Sequence, residues 1–204
     1  MKELIEKSPN RFIESILFEN HHYPLLAFHQ RRVDLVFNKY FPSDKKLDLK
    51  SILPQPNESE KVKVRLVYDG DGFTLSHERY QIRPINSLQL IEHNKVDYGF
   101  KYENRSKLDE LFSERQACDD ILIIKNNKIT DSYYANPVFW DGVKWLAPKT
   151  YLLNGVRRQH LIETGQISER DIGLKDLQSF EKISLVNAMI DLGEVEISID
   201  QVKI

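Results

Sequence analysis

The chain has 204 residues, 41% of them hydrophobic, which is enough to bury the core of one large domain or of two small ones. Its formal net charge of −2 gives no general attraction to nucleic acid or to an anionic membrane, and no stretch approaches the roughly 20 apolar residues of a membrane helix. Cys118 is the only cysteine, so no intramolecular disulfide can form, and charged side chains interrupt residues 1–12 where a signal peptide would need an apolar run; both features predict a cytoplasmic protein.

The first half of the chain predicts a mixture of strands and helices. Residues 11–19 are mostly apolar and predict a strand, whereas residues 25–40 carry apolar side chains at helical spacing. A short helix is predicted at 48–53, and the proline-rich residues 54–59 predict a turn-rich connector. This order is typical of an α+β fold.

A β-hairpin is predicted next. Residues 61–68 alternate charged and apolar side chains, which is the period of a half-buried strand, and residues 73–85 resume an extended pattern. Asp69-Gly70-Asp71-Gly72 lies between them and predicts a tight turn. A calcium loop is the weaker interpretation, because the later ligands and the closing glutamate of such a loop are absent.

The second half of the chain predicts a separate unit of hairpins and short helices. We expect strands at residues 121–125, 128–131, 137–140, 143–146, 183–189 and 195–199, and helices at 106–117, 156–164 and 174–180. The boundary is predicted near residues 94–100, which gives a small N-terminal α+β domain at 1–96 and an α/β-barrel-like C-terminal domain at 97–204.

One lysine has a setting that predicts chemistry. Lys101 follows the apolar stretch Tyr98-Gly99-Phe100 and comes shortly before the helical run that starts at Ser106. A charged side chain in apolar surroundings needs a partner, and a partly desolvated amine loses proton affinity and becomes nucleophilic. The alternative is a solvated surface group, which is the usual state of a lysine.

A carboxylate and a phosphate-type turn follow this lysine. Asp131 ends a predicted strand, although an Asx turn would also explain it. Gly155 allows the chain to turn, and the amides of Val156 and Arg157 begin a helix whose positive end suits a phosphate, with a plain loop-to-helix turn as the alternative. A lysine, a carboxylate and an anion-binding turn are what pyridoxal phosphate chemistry needs.

The order and spacing of these residues resemble the class IV aminotransferase family, which includes branched-chain and D-amino-acid aminotransferases and aminodeoxychorismate lyase. Lys101, Asn104 and Arg105 match the family's Lys-x-x-Asn-Arg context, and the segment 153–158 resembles its Leu-x-Gly-Ile-x-Arg turn. The family has glutamate at the position of Asp131, with asparagine five residues later, as here.

The resemblance implies pyridoxal 5'-phosphate as the cofactor. In that arrangement Lys101 is the catalytic lysine that binds the cofactor covalently, and Asp131 keeps the ring nitrogen protonated. The phosphate would lie against the turn formed by Gly155, Val156 and Arg157.

Further positions are assigned by the same resemblance. Arg32 matches the phosphate-binding arginine of a His-x-x-Arg pattern, and the adjacent Arg31 leaves the register open by one residue. Asn187-Ala188 resembles a pair that lies near the phosphate in lyase-like members, with a short polar turn as the alternative. Glu14 and Arg65 correspond to the family's early Phe-Glu strand and its substrate-side arginine, so both are expected to bind substrate.

The resemblance also implies a fold and a reaction. The fold is the two-domain α+β fold of the D-amino-acid aminotransferase type with a shortened N-terminal domain, in a homodimer that acts on a small amino-acid-like substrate. Compact members look most like aminodeoxychorismate lyase, which eliminates pyruvate to leave 4-aminobenzoate for folate synthesis. Asn187-Ala188 favours the lyase, whereas Glu14, where the lyase has threonine, counts against it. The alternatives are a branched-chain or D-amino-acid aminotransferase and a non-catalytic binding protein of the same fold.

Other kinds of site have less support. His21, His22 and His29 lie close together but lack the spacing of a metal site, so surface or capping roles are predicted for them and no metal ligand is assigned. Neither the Gly-x-Ser-x-Gly motif of serine hydrolases nor a glycine-rich phosphate loop is present in the sequence.

Overall fold

The first part of the fold is an antiparallel sheet with one face covered by a helix. The computed structural model describes residues 10–57 and 61–204; the predictions about a signal peptide and about the end of the connector at 54–59 fall mostly on residues outside these ranges. The elements are β1 (Phe12–Phe18), α1 (Leu26–Tyr40), α2 (Leu49–Ile52), β2 (Val62–Tyr68) and β3 (Phe73–Arg79). Within the described residues the sheet order is β1-β2-β3.

The alternation of side chains along β2 decides which face of this sheet is buried. Val62, Val64 and Leu66 are fully buried and pack with the inner face of α1, whereas Lys63 and Arg65 point to the opposite face. The predicted hairpin is confirmed: β2 pairs with β3 from Tyr68 opposite Phe73 onward, and Asp69 closes the turn by accepting hydrogen bonds from the amides of residues 71 and 72.

The second part of the fold consists of two more sheets among the described residues. Its strands are β4 (Leu88–Glu92), β5 (Asp120–Lys125), β6 (Lys128–Ser132), β7 (Asn136–Trp140), β8 (Trp145–Pro148), β9 (Ser168–Arg170), β10 (Lys182–Val186), β11 (Glu196–Ser198) and β12 (Val202–Lys203). The sheets have the orders β12-β4-β5-β6 and β11-β10-β7-β8-β9. The helices are α3 (Ser106–Ser113) and α4 (Val156–Glu163), with 3₁₀ turns at Leu174–Ser179 and Ile199–Gln201. No helix of the described residues is both long and apolar enough to span a bilayer.

Strand β4 is the main departure from the sequence predictions. It is short and pairs in parallel with β5 on one side and β12 on the other, so its residues fill a sheet of the second part although they precede residue 94. Periodicity cannot show this because parallel partners are distant in sequence. β9 and β12 were also not predicted, and the helix expected at 174–180 is a 3₁₀ turn. The domain division at residue 96 remains a prediction.

The two parts are joined along the free edge of β1. The amide of Ile13 donates to the carbonyl oxygen of Lys101 (2.9 Å), and the amide of Glu103 donates to the carbonyl oxygen of Arg11 (2.7 Å). Paired residues of neighbouring strands share a face, and successive residues alternate between faces. Tyr102 therefore faces α1, in the same core as Phe12, whereas Lys101 faces the opposite side of the sheet together with Ile13.

The contribution of the aromatic packing at this junction to stability can be tested by mutation. Phe12 is fully buried, and its ring centroid lies 5.0 Å from that of Tyr40 and 5.3 Å from that of Tyr102. We expect Phe12→Ala to lower the free energy of unfolding by about 3–5 kcal/mol, because it removes a buried ring and leaves a cavity. Urea denaturation measures this, with Phe73→Ala on the exposed hairpin strand as the control. Similar losses in both variants would contradict the assignment.

Candidate active site

A cavity of about 470 Å³ lies on the face of the first sheet opposite α1. Its walls come from both parts of the fold, so neither part forms it alone. The residues predicted from the sequence that line it are Arg32, Arg65, Lys101, Asp131, Gly155, Val156, Asn187 and Ala188. The structure thus brings together eight of the ten positions, and Glu14 and Arg157 do not belong to the cavity wall.

The side-chain amine of Lys101 is buried and lies at the cavity. No hydrogen bond or ion pair to this amine occurs among residues 10–57 and 61–204. Burial lowers the pKa of Lys101 to about 7, and the positive charge of Arg32 adds to this effect, while Glu14 opposes it. A large fraction of Lys101 is therefore the neutral, nucleophilic amine near pH 7.

Strand register places Arg65 on the same wall as Lys101. Arg65 lies opposite Ser15 in β1, two residues beyond Ile13, which is bonded to Lys101. Ser15 and Arg65 both line the cavity. The guanidinium of Arg65 makes one long contact, 3.5 Å to a carboxylate oxygen of Glu103, so most of its donors remain available to an anion in the cavity.

Asp131 is a buried carboxylate held by donors from the start of β7 and from the loop before α4. Its oxygens accept hydrogen bonds from the backbone amides of Leu152 and Leu153 and from the side-chain amide of Asn136 (3.0 Å). Burial nevertheless dominates and raises the pKa of Asp131 to about 7. Asp131 can therefore hold or release a proton near neutral pH.

Gly155 is required by a close approach in the turn before α4. A Cβ atom at this position would lie 2.2 Å from Oδ1 of Asn136, so no other residue fits without displacing that side chain. Asn136 cannot move freely because its amide group bridges Asp131 and the carbonyl oxygen of Leu153 (3.0 Å). The turn and the Asp131 carboxylate thus form one rigid unit.

The beginning of α4 presents backbone donors to the cavity. Gly155 has extended dihedral angles, Val156 begins the helix, and no side chain of the described residues caps its first turn. The side chains of Arg157 and Arg158 point elsewhere, Arg157 to Asp191 (2.9 Å) and Arg158 to the carbonyl oxygen of Pro148 (2.8 Å). The donors that this end of the cavity offers are therefore at Gly155 and Val156, and the guanidinium of Arg157 is bound elsewhere.

Of Arg31 and Arg32, the two candidates for a phosphate-binding arginine, Arg32 is the one that lines the cavity. Arg31 is exposed, lies over the ring of Phe28 and contacts Glu163 (2.9 Å). Arg32 is buried, lines the cavity and binds the carboxylate of Glu14. Glu14 itself is fully buried on the α1 side of the sheet, behind Arg32. The surface or capping role predicted for His29 is wrong: this ring is fully buried and also contacts Glu14.

Asn187 forms a closed turn at the edge of the cavity. Its side-chain oxygen accepts hydrogen bonds from the amides of Met189 (2.8 Å) and Ile190 (3.0 Å), and its side-chain nitrogen donates to the carbonyl oxygen of Tyr134. This is the polar turn that the sequence left as an alternative. Ala188 follows directly and lines the cavity without filling it.

Several lining residues were not assigned from the sequence. Arg105 lies over the rings of Tyr133 (4.8 Å) and Tyr134 (4.3 Å) and donates to the carbonyl oxygen of Tyr133. It could have been found from its place four residues after Lys101. Arg83 lies in the irregular segment after β3, and no sequence pattern marks it.

Comparisons with known proteins agree with this architecture. The family model for class IV amino-transferases matches residues 11–196. An uncharacterized protein of Haemophilus influenzae is 33% identical over 180 residues, which cover 86% of this chain and 96% of that protein.

Solved structures show the same fold. A protein of Haemophilus somnus, provisionally named a 4-amino-4-deoxychorismate lyase, superposes with a TM-score of 0.86 at 28% identity over 91% of this chain and 99% of its own. A Thermotoga maritima protein, provisionally named a branched-chain amino acid aminotransferase, has a TM-score of 0.72 at 13% identity over 95% and 80%. A hypothetical aminotransferase of Mycobacterium tuberculosis in its PLP-bound form has a TM-score of 0.68 at 14% identity over 95% and 81%.

The predicted fold class is confirmed by these superpositions. The predicted enzyme class and cofactor are confirmed at the level of the family. Because the family model spans all but the ends of the sequence, the chain belongs to the class IV aminotransferase family of pyridoxal-phosphate-dependent enzymes.

Proposed function

We propose that this enzyme uses pyridoxal phosphate to break a bond at the α-carbon of a small amino-acid-like substrate, and that its reaction is the aminodeoxychorismate lyase reaction. The observation that carries the proposal is the meeting of the unpaired Lys101 amine and the buried Asp131 carboxylate at one cavity. The described residues offer no partner to the Lys101 amine, and the hydrogen bonds to Asp131 hold its carboxylate at the same cavity.

The residues at the cavity fit the cofactor. A volume of about 470 Å³ is within the range of small-molecule sites. The neutral amine of Lys101 can attack an aldehyde, and Asp131 can share a proton with a ring nitrogen because its pKa is about 7. The N–H groups of Arg32 and the uncapped amides at the start of α4 are donors for a phosphate.

Each residue then has a defined task. When bound, pyridoxal phosphate supplies the acceptor for the electron pair of the bond that breaks. Lys101 holds the cofactor and, once displaced by the substrate amine, accepts and returns protons at Nζ, for which a pKa of about 7 is suited. Asp131 keeps a negative charge against the ring nitrogen, and Arg65 binds a substrate carboxylate.

The choice of the lyase rests on two features. The Haemophilus somnus structure combines the higher identity with nearly equal length, and its provisional name is that of the lyase. Asn187-Ala188 lies at the cavity, as expected for lyase-like members. The second candidate is a branched-chain or D-amino-acid aminotransferase, which the names of more distant structures favour. The open cavity gives no support to a blocked, non-catalytic binding protein. A homodimer and a cytoplasmic location remain predictions from the sequence.

The first prediction concerns the state of Lys101. Since only the neutral amine attacks an aldehyde, covalent attachment of pyridoxal phosphate to the cofactor-free protein should accelerate about tenfold per pH unit below pH 7 and level off above it, because the pKa of Lys101 is lowered to about 7. Borohydride trapping at each pH measures the rate, and peptide mapping identifies the lysine. Lys101→Ala should give no adduct, with Lys63→Ala at the same cavity as the control. A rate that still rises at pH 9 would contradict the assignment.

The second prediction concerns Asp131. Asp131→Asn should lower turnover by about 10²–10³-fold, because an amide cannot stabilise a positive ring nitrogen as a carboxylate does. The absorbance of the bound cofactor should persist, since Lys101 and the phosphate donors are unchanged. The control is Asp120→Asn, at a second buried carboxylate of the cavity, which accepts hydrogen bonds from the backbone amides of Ile121 and Tyr133. Near-normal turnover of Asp131→Asn would show that this carboxylate is structural.

The third prediction separates the two reactions. Incubation of the holoenzyme with aminodeoxychorismate should release 4-aminobenzoate and pyruvate in equal amounts, and the Lys101→Ala variant should release neither. A parallel assay supplies a branched-chain or D-amino acid with a 2-oxo acid acceptor. Transamination without release of pyruvate from aminodeoxychorismate would replace the lyase by the second candidate.

A further inference from the structure

Three ionisable side chains meet behind the cavity wall, and the proposed chemistry uses only one of them directly. Glu14 lies in β1, and His29 and Arg32 lie one turn apart on the inner face of α1. We call them the Glu14–His29–Arg32 cluster. Glu14 and His29 are fully buried, and only Arg32 reaches the cavity.

The charges within this cluster balance. Burial alone would raise the pKa of Glu14, but the charge and hydrogen bonds of Arg32 and the hydrogen bond from His29 lower it to about 2. Burial lowers the pKa of His29 despite its contact with Glu14. At neutral pH the cluster therefore contains one carboxylate, one guanidinium and one neutral imidazole.

The carboxylate of Glu14 fixes the orientation of the guanidinium. Nε of Arg32 donates to Oε1 of Glu14 (2.7 Å), and Nη2 donates to Oε2 (2.5 Å), which is the paired geometry of an arginine–carboxylate fork. Two of the five N–H donors of an arginine are used in this way, and three remain. No other acceptor among the described residues takes them, so the edge of Arg32 that is free of Glu14 can bind an anion in the cavity.

His29 completes the set of bonds to the same carboxylate. Its Nδ1 lies 2.5 Å from Oε2 of Glu14, so in the neutral ring Nδ1 carries the proton and donates it. Nε2 is buried without a partner among the described residues, and protonating it would bury a donor with no acceptor. The ring is thus held as a neutral donor, and the second oxygen of Glu14 is bonded by two groups at once.

Stability gives no sufficient reason for this arrangement. A buried ion pair is often no more stabilising than apolar residues of similar volume, because both charges must leave water. The cluster lies in a core made otherwise of apolar and aromatic side chains, including Phe12, Val33 and Phe37. Of its three side chains, Arg32 is the one that lines the cavity.

We propose that Glu14 and His29 are positioning residues that fix the guanidinium of Arg32 as the anion site for the phosphate of the cofactor. The inference rests on the function proposed above, and it replaces the expected contact of Glu14 with substrate. Glu14 acts through Arg32, and His29 acts through Glu14. Each step is a hydrogen bond between fully or nearly fully buried groups.

Affinities for pyridoxal phosphate and for pyridoxal, which lacks the phosphate, test this proposal on the cofactor-free full chain. Both aldehydes can react with Lys101, but only pyridoxal phosphate carries the phosphate that Arg32 would bind. His29→Leu removes the donor to Glu14 and keeps the volume apolar, so the affinity for pyridoxal phosphate should fall about tenfold, as for the loss of one hydrogen bond to a charged group. Affinity for pyridoxal should stay the same. His29→Asn, whose Nδ2 can take the place of Nδ1, should restore the affinity for pyridoxal phosphate.

Glu14→Gln is the second variant, and it should lose more affinity for pyridoxal phosphate than His29→Leu because the fork with Arg32 is broken. If it does not fold, the two His29 variants decide the matter by themselves. Equal losses for both aldehydes, or no loss in His29→Leu, would overturn the positioning role. A wild-type chain that binds both aldehydes equally would overturn it as well. If neither aldehyde forms a borohydride-reducible adduct on Lys101, the proposed function fails first, and the inference fails with it.

Discussion

The pairing of the Lys101 segment with the edge of β1 is the constraint on which the rest of the site depends. Two backbone hydrogen bonds, from Ile13 to Lys101 and from Glu103 to Arg11, fix the chain at the point where the two parts of the fold meet. The alternation of faces then turns Tyr102 into the aromatic core and Lys101 into the cavity. A shift of one residue would exchange them and bury the amine among aromatic rings. Backbone register, not the lysine itself, therefore sets the direction of its amine.

Burial has opposite consequences for the two titratable groups at the cavity. It lowers the pKa of Lys101 and raises that of Asp131, so both come to about 7 although they start far apart. In each case the uncharged form is favoured, and each group is able to exchange a proton at neutral pH. Groups whose pKa lies near the working pH are typical of acid–base sites. Burial at one cavity thus brings the pKa of both side chains near neutral.

Much of the fold could be predicted because its signals are local. The apolar period along α1, the alternation along β2 and the turn at Asp69 each depend on neighbours within a few residues, and the structure has a helix, a strand and a hairpin there. The same helical period places His29 and Arg32 on the buried face of α1 with Val33 and Phe37. This periodicity predicts burial of both residues, although their polar side chains suggest an exposed position. β4 gave no such signal, since a short strand with parallel partners on both sides is defined only by chain segments far away.

The sequence by itself determined the family and marked Lys101, Asp131 and the turn at Gly155 as candidate site residues, because each motif spans only a few neighbouring residues and the chemistry of each residue type is fixed. Only the tertiary structure decided that Arg32 and not Arg31 faces the cavity, that Glu14 lies behind it, and that Arg157 points to Asp191. The physical reason is that an ion pair forms wherever folding brings two opposite charges together. Among 29 basic and 31 acidic residues, linear order does not specify those partners.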